Sequence, residues 1–262
     1  MASLQLADGV LNYQIDGPAD APVLVMSNSL GTDLGMWDVQ IPELSKSFRV
    51  VRYDTRGHGQ SLVSQGPYSI EQLGRDVVAL LDELKVEKAA YCGLSMGGLI
   101  GQWLGVNAPE RFTHLVLCNT AAKIGNAEGW NSRIETVNAG GAQAMRDLRD
   151  GSIARWFTAE FAAANPAVAD GIVSMLANTN PAGYTANCAA VRDGDFREQL
   201  GSIKAKTLIV CGSDDAVTTP DDGRFMQERI AGAEIVVFHA AHLSNVEAGD
   251  AFTQALLKFL NA

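Results

Sequence analysis

The sequence predicts a doubly wound α/β fold, in which a mainly parallel sheet carries helices on its faces. Two observations predict it. Short runs rich in Val, Ile, Leu and Cys lack strict in–out alternation, the habit of strands buried on both sides. Segments with apolar residues at helical spacing fall between those runs, so strand and helix alternate along the chain.

Taken in order, Leu11–Asp16 alternates and reads as a hairpin strand at the sheet edge. Val23–Ser27 and Arg49–Tyr53 are buried strands, and Ile70–Leu84 is an amphipathic helix. Strand Ala89–Cys92, helix Gly97–Asn107 and strand Leu115–Cys118 follow. After strand Thr207–Cys211 come helix Phe225–Ile230, strand Glu234–Phe238 and helix Ala251–Leu260. The stretch 123–195 breaks the rhythm. It holds Trp130, Trp156, Ala-rich helical patterns and the breaks Asn165–Pro166 and Asn180–Pro181, but no strand pattern. A helical insertion of that length between sheet strands reads as a cap over residues 1–122 and 196–262.

At 262 residues the chain suits one large core. Its net charge of −10 argues against nucleic-acid or anionic-membrane partners, which call for a basic face. An anionic substrate would need a local cation. No run approaches a membrane span, and Met1–Gly9 lacks the basic start and apolar core of a secretory signal, so a cytoplasmic location is expected. Cys92, Cys118, Cys188 and Cys211 form no C-x-x-C pair and read as reduced, buried thiols. No metal-ligand spacing or phosphate loop appears, and nothing calls for a cofactor.

The sharpest chemical signal is Gly93-Leu94-Ser95-Met96-Gly97, a G-x-S-x-G directly after one strand and directly before a helix. A nucleophile elbow needs a strained strand-to-helix turn whose glycines let backbones approach closely. A serine needs a base, and the base needs an orienting acid. His58 and His114 do not fit a Ser, Asp, His chain order, and His239 is expected to pack at the end of its apolar run. His242, in a loop beyond the last strand, is the candidate base. Asp214 and Asp215, after strand Thr207–Cys211, are both candidate acids, and residue physics alone does not separate them. Oxyanion donors are expected from the Met96 amide and from the loop Asn28-Ser29-Leu30-Gly31-Thr32. Asp54-Thr55-Arg56-Gly57-His58-Gly59 reads as a tight structural loop braced by an Arg–Asp pair.

With these residues placed, the chain resembles the 3-oxoadipate enol-lactonases of bacterial aromatic catabolism over nearly its full length. Ser27-Asn28-Ser29-Leu30-Gly31-Thr32 and Ala241-His242-Leu243-Ser244-Asn245-Val246-Glu247 carry most of that resemblance. The elbow and the Asp-x-Arg-Gly-His-Gly loop are common to many α/β-hydrolases. The resemblance implies the α/β-hydrolase fold: a mostly parallel eight-stranded sheet flanked by helices, with an inserted helical cap. It implies Asp215 as the acid, Leu30 as the second oxyanion donor, and Trp130 and Arg133 facing the substrate. The implied substrate is a small anionic enol lactone bearing a carboxymethyl group. Arg gives a fixed two-pronged fork for a carboxylate, and Arg133 stands one helical turn from Trp130. The plainer reading makes Arg133 one of several exposed cations of the segment, with Lys123, Arg146 and Arg155 beside it, and which of them meets the carboxylate stays open. A general carboxylesterase or C–C bond hydrolase of the same fold is the main alternative function, and a non-catalytic ligand receptor a remoter one.

Overall fold

The computed structural model describes residues 2–262. Eight strands form one sheet: β1 Ala2–Leu6, β2 Gly9–Asp16, β3 Val23–Ser27, β4 Arg49–Tyr53, β5 Ala89–Leu94, β6 Phe112–Cys118, β7 Lys206–Gly212 and β8 Glu234–Phe238. Their spatial order is β1-β2-β4-β3-β5-β6-β7-β8. The β1–β2 and β2–β4 pairs are antiparallel, and all the others are parallel. The non-alternating runs have the burial expected of them: β5 is buried at every position. The edge differs from expectation. β1, which lacks a long apolar run, pairs outside β2, so the strand read as an edge lies one place in.

The helices are α1 Ile41–Leu44, α2 Ile70–Glu83, α3 Met96–Asn107, α4 Ala127–Trp156, α5 Ala159–Ala164, α6 Pro166–Asn178, α7 Pro181–Asp193, α8 Pro220–Gln227, α9 Ser244–Glu247 and α10 Gly249–Leu260. Capping chemistry sets several boundaries. The helix expected at Phe225–Ile230 starts earlier, because Thr219 and Asp222 form a reciprocal capping box with Pro220 at the first helical position. The Asn-Pro breaks at 165 and 180 are where α6 and α7 begin. Asn180 caps α7 by accepting from the Ala182 and Gly183 amides.

The stretch between β6 and β7 carries α4 to α7 and no strand of the sheet. Within α4, Gly141 adopts φ 53°, ψ −135°, a conformation open to glycine and strained for other residues. The helix therefore breaks there instead of running straight. Trp37 is fully buried with its ring 6.2 Å from that of Phe252, which ties the loop after β3 to α10. The loops leaving the carboxyl ends of β3, β5, β6, β7 and β8 converge on one edge of the sheet, where open α/β sheets place their ligands.

Candidate active site

Ser95 sits between β5 and α3 with φ 58° and ψ −111°, a strained geometry for a residue with a side chain. Two glycines permit it. A Cβ on Gly93 would lie 2.2 Å from the Gly97 carbonyl oxygen, and one on Gly97 would lie 2.4 Å from that of Ser27. Both clashes are with backbone, so neither can be relieved by a side-chain rotation. The turn is held from outside by the Ser95 N–H donating to the Cys118 carbonyl at 2.9 Å, and by the Thr120 hydroxyl donating to the Ser95 carbonyl at 2.8 Å.

His242 Nδ1 lies 2.8 Å from Asp215 Oδ2, with both side chains almost wholly buried. Asp215 also accepts from the Val217 and Thr218 amides, the Thr218 hydroxyl and Asn119 Nδ2. Burial opposes its charge, but His242 and these donors outweigh burial and hold the carboxyl down at about 2. Asp214 makes a different pair. It lies 2.9 Å from His239 Nδ1, and both side chains are solvent-exposed. His239 therefore does not pack in the apolar run as expected: it follows the strand's last residue, where the chain has already turned outward. Ser95 and His242 line the same cavity. No hydrogen bond joins their side chains, and catalytic hydrogen bonds are often loose in unliganded sites.

The amides of Leu30 and Met96 donate to no protein acceptor among the described residues, although the residues themselves are buried. An unpaired amide at a buried helix start is costly unless something accepts from it. The loop bearing Leu30 is fixed by its neighbour: the Gly31 N–H donates to His58 Nε2 at 2.9 Å. His58 must then carry its proton on Nδ1, which has no partner, and burial pushes its pKa down to about 4. The Asp-x-Arg-Gly-His-Gly loop is thus structural, but its brace reaches further than the motif. Arg56 grips Asp76 with two nitrogens, at 2.6 and 2.7 Å, and also contacts Asp8. Asp54 instead accepts from Asn12 and from the Leu34 and Gln60 amides.

A cavity of about 270 Å³ lies between the sheet edge and the inserted helices. Ser29, Leu30, Ser95 and His242 form its floor, and Trp130, Arg133, Ser152, Arg155, Trp156 and Tyr184 are among the residues of its walls. Met96, the next residue after Ser95, is fully buried and is not part of the cavity lining. Arg133 stands 5.8 Å from the Trp130 ring centre and donates to the Tyr184 hydroxyl at 3.3 Å. Lys123 is paired with Asp195, and Arg146 is exposed and bound to Gln143, so neither faces the cavity. Arg155 does face it, which its position among other surface-like cations did not reveal.

Asn119 was invisible to motif reasoning. Its φ of 42° turns the chain after β6, and its Nδ2 bridges Asp215 Oδ2 at 3.0 Å and the Ala241 carbonyl at 3.2 Å, while its Oδ1 accepts from Ser244. One side chain so joins the acid to the loop of the imidazole. An Asn directly after a buried strand, a residue type that tolerates positive φ, was the available signal.

An eight-stranded, mainly parallel sheet, a serine at a strained elbow and a buried His–Asp pair at its carboxyl edge together define a serine-hydrolase architecture. Residues 22–248 match the alpha/beta hydrolase fold family, and the chain belongs to that family. It is 43% identical over 254 residues to 3-oxoadipate enol-lactonase 2 of Acinetobacter baylyi, covering 97% of this chain and 94% of that protein. To 3-oxoadipate enol-lactonase 1 of the same organism it is 45% identical over 252 residues, covering 96% and 93%. The crystal structure of the enol-lactonase from Burkholderia xenovorans superposes with a TM-score of 0.97 at 43% identity, over all of both chains.

Proposed function

We propose that this protein hydrolyses 3-oxoadipate enol-lactone to 3-oxoadipate, a step of aromatic catabolism, through Ser95, His242 and Asp215. The observation that carries the reading is one cavity holding an elbow serine and a buried imidazole on its floor and Arg133, free of any acidic partner among the described residues, in its wall. A small lactone bearing a carboxylate matches that polarity. The two curated relatives with that printed activity support it at 43% and 45% identity. In this reading residues 123–195 act as a cap over a core formed by 1–122 and 196–262.

Asp215 fixes the His242 ring so that Nε2 faces the serine. His242 takes the Ser95 proton as Oγ attacks the lactone carbonyl, and the amides of Leu30 and Met96 receive the oxyanion. Collapse breaks the ring C–O bond, and the proton passes from His242 to the departing enol oxygen. The enol tautomerises to a ketone, still tethered as the acyl-serine. Water then attacks that ester, His242 takes its proton, and Ser95 leaves with the proton returned. Trp130 and Arg133 hold the carboxymethyl arm, and the reaction needs no cofactor. The cytoplasm is the expected site of action, since all four cysteines are free and buried, as suits a reducing compartment.

The test is turnover of the enol lactone beside that of p-nitrophenyl butyrate, a neutral ester. The expected result is a strong preference for the lactone, abolished by Ser95→Ala. Preference for the neutral ester would replace this reading with a general carboxylesterase.

A further inference from the structure

The inserted helices bring a second cation to the cavity. Arg155 lies in the last turn of α4 and lines the same space as Ser95 and His242. Along a straight helix it would stand roughly 33 Å from Arg133. The helix breaks at Gly141 between them, and both residues line one cavity. The end of α4 is also tied to the base, because the Leu243 N–H donates to the Trp156 carbonyl at 3.0 Å.

The partners of the two guanidiniums are neutral. Arg133 contacts the Tyr184 hydroxyl, and Arg155 donates to the buried Ser152 hydroxyl at 2.9 Å. Most other arginines of this acidic chain pair with a carboxylate, including Arg52, Arg56, Arg75, Arg111, Arg149 and Arg192. Arg49 and Arg146 also lack an ion pair among the described residues, but they lie away from the cavity. Burial, followed by the like charge of Arg133, depresses the Arg155 pKa, whereas Arg133, also opposed by burial, is raised by its contact with Tyr184. Two like charges gathered in a half-buried space raise each other's energy until an anion enters.

We propose that Arg155 is a specificity-determining residue acting with Arg133, and that the pair makes the cavity a site for carboxylates, including open-chain dicarboxylates. The proposal rests on the lactonase reading for its substrate, and it accounts for both ends of that reaction. The lactone enters with one negative charge, and hydrolysis adds a second, so the pair matches the product's charge more closely than one arginine would. Ser152 holds one edge of the Arg155 fork and leaves other N–H groups for the ligand.

Two measurements test it. The first is the ratio of kcat/KM on the enol lactone to kcat/KM on p-nitrophenyl butyrate, which cancels any general loss of folded enzyme. Arg155→Gln should lower that ratio by about 10- to 100-fold, mainly through KM on the lactone, and Arg155→Lys should recover part of it. The second is calorimetric titration of Ser95→Ala with adipate, a six-carbon dicarboxylate. Binding should weaken by roughly tenfold or more when Arg155→Gln is added, with adipamide binding to neither protein. An unchanged ratio, or adipate binding indifferent to Arg155, overturns the proposal. Arg155-dependent adipate binding in a protein that turns over no enol lactone would uphold the anion site and sink the proposed activity instead.

Discussion

Asp214 and Asp215 are chemically identical neighbours with opposite surroundings. Asp215 accepts several hydrogen bonds in a buried position beside His242, whereas Asp214 faces solvent beside His239. Asp215→Asn keeps the size of the group but offers His242 an amide, which lets the ring settle in the wrong tautomer. Lactone kcat should then fall by about 10⁴-fold, the scale seen when a buried triad acid is neutralised. Asp214→Asn should leave kcat essentially where it is. Steady-state kinetics on both variants would reverse the assignment if Asp214→Asn were the damaging one. Asn119, which contacts Asp215 but not Asp214, does so from the turn after β6, so adjacency in the chain could not have revealed it. The elbow was readable because one short local motif carries all of its constraints. Residue physics narrowed the acid only to two neighbours, and Asp215 and Arg133 came from the resemblance; Arg155 was not singled out, because its place at the cavity depends on residues far away in sequence.

At the level of elements, the strands were legible wherever burial on both faces suppresses alternation: β3, β4 and β8 have the boundaries their apolar runs suggest. β1 escaped notice because an edge strand of five residues with four exposed or partly exposed positions carries little apolar signal. The break in α4 escaped for a related reason. Gly140-Gly141 sits in a helical pattern, and a glycine pair there does not say by itself whether the helix continues. Two glycines with open space around them, Gly141 and Gly171, separate backbone conformation from packing. Gly171 lies in α6 without a positive φ, so Gly171→Ala should stabilise by about 0.5–1 kcal/mol. Gly141→Ala forces a Cβ into the left-handed half of the map and should destabilise by about 1–3 kcal/mol. Urea midpoints measured on the two variants should move in opposite directions. If both rise, α4 is able to straighten, and Gly141 is not what brings Arg155 to the cavity that Arg133 lines.

At the scale of the whole molecule, the buried loop network makes acid a threat to the fold before it reaches the His–Asp pair. His58 is held at about 4 by burial, whereas in the unfolded chain a histidine titrates near 6.5. Between those values the unfolded state binds the extra proton, so stability rises with pH across the window and falls on acidification. The loss at pH 4 should be about 3 kcal/mol from this one group. Protonation would also take from Nε2 the lone pair that receives the Gly31 N–H, loosening the loop of Leu30. Asp215, held at about 2, has the complementary behaviour: its stabilisation is present above about 4 and is lost only below that. His114, also depressed by burial, shares the sign of His58, while Asp33 and Asp76, raised by burial, act against it, so the total slope is no test. His58→Gln isolates the contribution, because a Gln carbonyl can still accept from Gly31 but does not titrate. Urea unfolding of both proteins at pH 7 and pH 4 should show the wild type losing about 3 kcal/mol more than the variant. Equal losses would mean that folding leaves the proton affinity of His58 where it is in the unfolded chain, and the imidazole would then be no acid-sensitive clamp on the oxyanion loop.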